Sequence, residues 1–195
     1  MSKINEAKDA RSRDELAEIV RNGGRPKYLF FWGHAPKVPG RVDQSCLSNW
    51  FPAPFETGGV SYATTEHFMM AEKARLFGDD ERRADILAAK SPGEAKKLGR
   101  LVKNFEEGKW IAHRFEIVTS GNLEKFGQNA EMKEFLLRTG SKVLVEASPR
   151  DRIWGIGLGR NNPQAEDPGR WNGLNLLGFS LMEVRQRLSD LPPEA

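Results

Sequence analysis

The feature that most constrains the fold is the wide separation of two short apolar runs that have the composition of buried strands. One spans residues 28–32 and the other residues 142–146, and strands favour their branched and aromatic side chains. Between them the hydrophobic pattern has mainly the helical period. Strands that do not alternate regularly with helices argue against a doubly wound sheet. The sequence therefore predicts an α+β fold, a helix-rich single domain with a few short strands.

Capping and stop signals mark the expected helices. Thr64 or Thr65 can cap a helix that Gly78 ends, and Ser91-Pro-Gly-Glu94 has the form of a capping box. A further strand is expected near residues 59–62, and Pro192-Pro193 is expected to end the ordered chain. The expected helices cover residues 6–21, 65–77, 79–90, 91–103, 109–120, 130–138 and 178–188.

The composition favours a globular intracellular protein. Hydrophobic residues make up 38% of the 195 residues and charged residues 29%, which is ordinary for a globular domain. No apolar run approaches the roughly 20 residues that span a bilayer, and the N-terminus lacks the apolar stretch of a signal peptide. The single cysteine, Cys46, favours a reducing, cytoplasmic location. A net charge of +3 is too balanced to indicate a nucleic-acid binder, and the oligomeric state is left open.

The glycine-rich run Gly155-Ile-Gly-Leu-Gly159 resembles a dinucleotide-binding fingerprint only superficially. That fingerprint needs its third glycine three residues after the second, at the start of a helix. Here a loop-like Arg160-Asn-Asn-Pro163 follows instead. These glycines are better explained as positions where the backbone passes close to a ligand or to another strand.

Metal ligands are not grouped in this sequence. His34, His67 and His113 are far apart and lack paired spacing, so no zinc site is predicted, and no metal or cofactor is expected. Cys46 has no recognisable catalytic partner and is expected to be a small buried hydrophobic residue.

Glu66 allows two interpretations. An acid in the first turn of a helix is favoured by the helix dipole alone. However, Met70 and Lys73 share its helix face, which is apolar and then basic. A carboxyl in an apolar pocket has a raised pKa and can act as an acid or base. His67 points roughly 100° away around the helix and is not expected to share this task.

A second candidate segment surrounds Asp151. Glu146, Asp151 and Arg152 bracket a turn and could simply be an ion-paired strand end. They lead, however, into Trp154, and a tryptophan beside glycines can stack on a planar ring. Trp50 and Trp110 are similar candidates, and for all of these tryptophans a place in the core is the alternative.

Four motifs in one order resemble the NADAR family, also called YbiA-like, over residues 28–188. Residues 1–26 form an N-terminal helical extension outside the resemblance, and residues 27–190 are assigned to the domain. The four motifs are Leu47-Ser-Asn-Trp-Phe-Pro-Ala-Pro-Phe55, Tyr62-Ala-Thr-Thr-Glu-His-Phe-Met-Met-Ala-Glu-Lys73, Glu146-Ala-Ser-Pro-Arg-Asp-Arg-Ile-Trp-Gly-Ile-Gly157 and Trp171-Asn-Gly-Leu-Asn-Leu-Leu-Gly178.

The resemblance implies a compact, helix-rich α+β domain and N-glycosidase activity. Some members of the family cleave the ribosyl–amine bond of phosphorylated intermediates in riboflavin biosynthesis. Others remove ADP-ribose from guanine bases. The implied partner is therefore a small-molecule ribosyl phosphate or an ADP-ribosyl substrate, with ADP-ribosylated DNA as a further candidate.

The resemblance also suggests roles for individual residues. Glu66 is the first candidate for the catalytic carboxylate, and Asp151 is the second, as a partner acid or base or as an anchor for hydroxyls. The substrate-binding candidates are Trp154 and Trp110 for stacking on the base, Arg152, Lys73 and Arg160 for phosphate, Asn49 for sugar hydroxyls, and Trp50, Glu146 and Gly155 in the same segments.

Two alternatives remain at the level of sequence. One is a non-catalytic module that binds ADP-ribose or NAD, and the other is a helical scaffold with no ligand. Lys96, Lys97, Arg100 and Lys103 could contact DNA weakly, but they could equally form the solvated face of a helix.

Overall fold

The computed structural model describes residues 6–190 and confirms the helix-rich α+β fold. Pro192-Pro193, expected to end the ordered chain, lies outside the described residues. Short 3₁₀ turns occur at Ala7–Asp9, Gln44–Leu47 and Pro168–Arg170. The elements follow in the order α1 (Arg13–Arg21), β1 (Tyr28–Phe31), β2 (Phe55–Thr57), β3 (Val60–Tyr62), α2 (Thr65–Leu76), α3 (Asp80–Leu87), α4 (Pro92–Gly99), α5 (Glu107–Gln128), α6 (Ala130–Arg138), β4 (Val143–Glu146) and α7 (Leu176–Ser189).

The two apolar runs predicted as strands pair with each other. β1 and β4 are parallel, with Tyr28 opposite Val143 and Phe31 opposite Glu146. Residues 143–145 are fully buried, as expected for a strand covered on both faces. The strands therefore end side by side, and the segments that follow them leave the sheet at the same edge.

The expectation of a buried strand is wrong for Trp32. β1 ends at Phe31, which is 1% exposed, whereas Trp32 is 66% exposed. The carbonyl of Phe31 accepts the last hydrogen bond of the pair, from Ala147 N–H at 2.9 Å. Beyond that bond Gly33 has a φ of 85°, which turns the chain away from the sheet.

A second strand pair contains one element that the sequence did not predict. β2 and β3 form an antiparallel hairpin in which Phe55 lies opposite Tyr62. The two turn residues, Gly58 and Gly59, have φ values of 59° and 75°, as a two-residue hairpin turn requires. The prolines and glycines before Glu56 favour irregular structure, so the sequence carries no clear signal for the short β2 strand.

Helix α2 begins inside the protein. It contacts α3, α4, α5 and β3, and residues 65–71 are all buried, including Glu66 and His67. The side chain of Thr64 caps it by accepting a hydrogen bond from His67 N–H at 3.3 Å. The first turn of α2 is therefore enclosed by other elements rather than facing solvent.

Several helix boundaries differ from the expected ones. The segment expected at 91–103 ends as α4 at Gly99, because Lys103 N–H instead bonds the carboxylate of Asp79 at 2.8 Å. The segment expected at 109–120 is α5, Glu107–Gln128, whose second half is buried against α2 and α7. Residues 6–21 divide into a 3₁₀ turn and α1, which Ser12 caps. Tertiary packing, which local patterns do not encode, sets these boundaries.

The N-terminal helix packs against the rest of the protein. Leu16 of α1 is fully buried, and α1 contacts the 3₁₀ turn Pro168–Arg170. Arg11, just before α1, forms a salt bridge with Glu183 of α7 at 2.6 Å. Within residues 6–190, no helix is both long and apolar enough to span a membrane.

Candidate active site

A cavity of about 350 Å³ opens at the ends of β1 and β4. This volume is at the small end of the range of ligand-binding cavities. Its acidic side chains come from different elements: Glu66 from the first turn of α2, Glu146 from the last residue of β4, and Asp151 from the loop after β4. The fold thus joins the two segments that the sequence singled out.

The carboxyl of Glu66 is almost completely buried. The residue is 3% exposed, and its Oε1 has no hydrogen-bond partner among the described residues. Its backbone N–H donates to the carbonyl of Asn49 at 3.0 Å, which ties the start of α2 to the loop before β2. An unpartnered oxygen in a buried carboxyl is available to a ligand or to water.

Burial raises the pKa of Glu66 from 4.5 to about 7. The positive charge of Lys96 and the hydrogen-bonding side chain of Trp50 oppose this rise, whereas the charge of Asp151 adds to it. A carboxyl with such a pKa exchanges its proton near neutral pH, which suits acid–base work.

Glu146, a half-buried residue, supplies a second carboxyl to the cavity. Its Oε2 has no hydrogen-bond partner among the described residues. Burial raises its pKa from 4.5 to about 8, and the negative charges of Asp151 and Glu66 raise it further. Because two nearby carboxyls resist ionising together, the pair holds a proton at neutral pH.

The backbone of Glu146 is held on both sides. Its N–H donates to the side-chain oxygen of Asn175 at 2.9 Å, and its carbonyl accepts from Ile156 N–H at 2.9 Å. Gly155 permits the second contact, because a Cβ at that position would lie 2.8 Å from the Glu146 carbonyl oxygen. This confirms that the glycine lets two backbone segments approach closely. Gly155 itself does not line the cavity.

Asp151 lines the cavity from a tight turn. Its Oδ1 accepts hydrogen bonds from Ile153 N–H at 2.9 Å and Trp154 N–H at 2.8 Å. The carbonyl of Trp154 in turn accepts from Leu177 N–H at 3.1 Å. The turn therefore fixes both the carboxylate and the indole that follows it, and Trp154 also lines the cavity.

A loop supported by α5 forms another wall of the cavity. The buried side chain of Asn49 accepts a hydrogen bond from Asn122 at 3.1 Å. Lys125, fully buried, donates to the carbonyls of Cys46 and Ser48 at 2.6 and 2.9 Å. Long-range support of this kind holds Asn49 in place before any ligand binds.

The same loop carries Trp50, which faces basic and aromatic neighbours. Its ring lies 5.7 Å from that of His34 and 5.8 Å from the amine of Lys96. Both neighbours also line the cavity. Lys96 therefore lies within reach of the cavity, whereas the sequence offered it only as a surface contact.

Five of the residues proposed from the sequence do not line the cavity: Lys73, Trp110, Arg152, Gly155 and Arg160. The amine of Lys73 donates to the carbonyl of Gly99 at 2.8 Å and lies 5.7 Å from the Trp110 ring. Arg152 and Arg160 are exposed. The structure therefore does not bring these side chains together with Glu66.

His67 and Cys46 do not line the cavity either. His67 contacts Thr64 Oγ1 at 2.8 Å and the carbonyl of Ala89 at 3.1 Å, so it points away from the cavity. Cys46 is fully buried, and burial raises its pKa to about 12, which fits an unreactive core residue. Within residues 6–190, no group of three or more histidine, cysteine or acidic side chains is arranged to hold a metal ion.

Several cavity residues were missed by sequence reasoning. Ser48 and Ser148 lie inside the quoted motifs but carried no individual role. Trp32, His34 and Lys96 join the cavity only through pairing and packing of distant segments, for which the sequence holds no local signal. The missed lining residues are Trp32, Gly33, His34, Ser48, Lys96, Ser148 and Leu177.

Asn175 positions Glu146, and its replacement should be costly. Asn175 has a φ of 55° and is fully buried, and its amide also donates to the carbonyl of Leu144 at 2.9 Å. Asn175→Ala leaves two buried backbone groups unpaired, so we expect the free energy of unfolding to fall by about 2–4 kcal/mol. Urea denaturation measures this change.

Asn162→Ala is the matched control for that measurement. Asn162 also bonds a backbone N–H, that of Gln164 at 2.9 Å, but in an exposed loop. We expect a change within about 0.5 kcal/mol. Equal decreases in the free energy of unfolding of the two variants would show that burial of the Asn175 hydrogen bonds adds nothing to stability.

Comparison with known proteins agrees with this fold. Residues 30–189 match the model of the NADAR domain, and the chain belongs to this family. It is 42% identical to "N-glycosidase R617" of Acanthamoeba polyphaga mimivirus, with 82% of this chain and 95% of that protein covered. It is 31% identical to "N-glycosidase YbiA" of Escherichia coli (strain K12), with 75% and 83% covered. These relatives identify the chain as a hydrolase of N-glycosyl bonds.

A solved structure supports the fold independently. The NMR structure of the E. coli protein YbiA superposes with a TM-score of 0.65 at 27% identity, with 85% of this chain and 86% of that chain covered. The similarity extends to "Protein irg-1" of Caenorhabditis elegans, at 35% identity with 75% and 77% covered.

Proposed function

We propose that this N-glycosidase hydrolyses the bond between ribosyl C1′ and nitrogen in phosphoribosylated or ADP-ribosylated substrates. The observation that carries the proposal is the pair of carboxyls, Glu66 and Glu146, each with a buried oxygen that lacks a hydrogen-bond partner in the described structure. Cleavage of a C1′–N bond develops positive charge on the sugar and needs a proton on the leaving nitrogen. One ionised and one protonated carboxyl meet both needs.

Glu66 takes the role of the ionised carboxylate. Lys96 and the side chain of Trp50 stabilise its ionised form, as does its place in the first turn of α2. Glu146 instead faces the negative charges of Asp151 and Glu66, so Glu66 loses its proton first. The negative charge then stabilises the oxocarbenium-like sugar and orients a water molecule toward C1′. The water oxygen bonds to C1′ as the bond to nitrogen breaks.

Glu146 supplies the proton to the leaving nitrogen. With a pKa of about 8 it is mostly protonated at neutral pH. After proton transfer, the proton released by the attacking water restores the starting state, so that one water is consumed in each cycle. Asp151, whose Oδ1 already accepts two backbone N–H bonds, is then the anchor for sugar hydroxyls, together with Asn49.

Phosphate recognition is assigned to Lys96. It is the one lysine or arginine among the described residues that line the cavity. Lys73 is less suited, because its amine is already bonded to the carbonyl of Gly99. A lysine amine is a compact point charge that binds phosphate without a fixed orientation.

The proposal is tested by incubating the protein with a phosphoribosylated aminopyrimidine, with ADP-ribosylated guanosine and with NAD, in ¹⁸O-labelled water. We expect release of the free base or amine from at least one of them, with one ¹⁸O atom at C1′ of the sugar product. The substrate that reacts identifies the subclass. Saturable binding without base release would instead support the non-catalytic module that binds ADP-ribose or NAD.

A further inference from the structure

Trp32 is unusually exposed for a large apolar side chain. Its surface is 66% accessible, the highest value among the large exposed hydrophobic residues of the described chain. Trp171 is buried, and Trp50, Trp110 and Trp154 are partly buried. An indole held in water forfeits the stabilisation that burial gives, so its position at a cavity points to a ligand that covers it.

The strand pair fixes Trp32 beside the catalytic carboxyls. Its neighbour Phe31 lies opposite Glu146 in the register of β1 and β4. Adjacent strands are only about 4.8 Å apart, so Trp32 leaves the sheet next to the residue assigned as proton donor. It lines the same cavity as Glu146. Its exposed ring therefore lies at the solvent side of a cavity whose interior holds buried oxygens of Glu66 and Glu146.

The cavity has an interior region and a solvent-side region that differ in chemistry. About 350 Å³ is near the lower limit for a ligand cavity, so a sugar phosphate fills much of it. The interior is acidic and suits sugar hydroxyls. The solvent side offers the flat apolar face of Trp32, which suits a planar ring.

We propose that Trp32 forms an outer stacking site for the nitrogen-linked aromatic base of the substrate, while the sugar occupies the interior among the carboxyls. This inference rests on the proposed function and adds Trp32 to the residues that hold the substrate. Ribosides of flat heteroaromatic rings gain the stacking contact, whereas ribosides of aliphatic amines do not. Because base–aromatic stacking tolerates many bases, this site selects a planar ring without selecting its hydrogen-bonding edge.

Equilibrium binding separates the two regions. Protein carrying Glu66→Gln, which blocks turnover, is titrated calorimetrically with guanosine 5′-monophosphate and with ribose 5-phosphate. Adding Trp32→Ala should raise the dissociation constant of the nucleotide about tenfold and leave that of ribose 5-phosphate within about twofold. Trp32→Phe should retain most of the nucleotide affinity, because it keeps an aromatic face.

Leu101→Ala is the control, since Leu101 is 61% exposed but does not line the cavity, and it should change neither constant. The stacking site is overturned if Trp32→Ala leaves nucleotide binding unchanged, or if it weakens both ligands equally. It is also overturned if the parent protein binds no nucleotide. Nucleotide binding that depends on Trp32, with no base released by the unmodified protein from any substrate, would instead reject hydrolysis and keep the stacking site.

Discussion

Glu66→Gln should lower the turnover number by about 10³-fold or more while the protein stays folded. Glutamine keeps the size of the side chain but cannot carry the negative charge that stabilises the developing cation. Glu66 Oε1 makes no hydrogen bond within the described structure, so the amide removes no contact there. Base release under saturating substrate measures the effect, and circular dichroism with calorimetric ligand binding checks that the fold and site persist.

Glu107→Gln is the matched control for this experiment. Glu107 also lies in the first turn of a helix, α5, but it is exposed. If acids at helix starts act only through the helix dipole, both substitutions should cost a few tenths of a kcal/mol in stability and leave turnover alone. A Glu66→Gln protein with full turnover would therefore return Glu66 to a structural role and leave Glu146 and Asp151 as the catalytic candidates.

The class of fold and the position of Glu66 were predictable because local patterns determine them. Thr64 caps α2 as expected, and the two apolar runs became the parallel pair. The burial of Glu66 was not predictable, because it depends on the approach of Asn49 and Trp50 from a separate loop. The same holds for Lys125, which lies beyond the expected helix end at residue 120 and whose amine is buried against the carbonyls of that loop.

Helix geometry explains why Lys73 does not join the site. Seven residues separate it from Glu66, which corresponds to about 10 Å along the helix axis. Lys73 therefore lies on the same side of α2 as Glu66 but too far along the helix axis to reach the cavity. Its amine lies beside Gly99 and Phe105. Lys96 reaches the cavity instead because α4 packs across α2. Spacing within one helix predicted the direction of the side chains and could not predict which neighbouring helix covers them.

The carboxyls proposed to serve the reaction, Glu66 and Glu146, should also lower stability at high pH. The pKa of Glu146 is raised from 4.5 to about 8 in the folded protein, so between these values the folded state holds a proton that the unfolded state has lost. Stability from this group is complete below about pH 4.5 and is lost as pH rises through 8. Glu66, whose pKa is raised to about 7, adds a loss in the same direction.

Glu146→Gln should therefore stabilise the protein at alkaline pH while impairing catalysis. Glutamine stays neutral across this pH range, so it contributes no such loss. A difference of one pKa unit corresponds to about 1.4 kcal/mol. We expect the variant to match the wild type at pH 4.5 and to exceed its free energy of unfolding by roughly 4 kcal/mol at pH 9. Urea denaturation across this range measures the difference, with Glu107→Gln as the exposed control that should show no such trend. A constant difference at all pH values would mean that Glu146 ionises as freely in the folded protein as in the unfolded chain, and the assignment of Glu146 as the proton donor would then lose its physical basis.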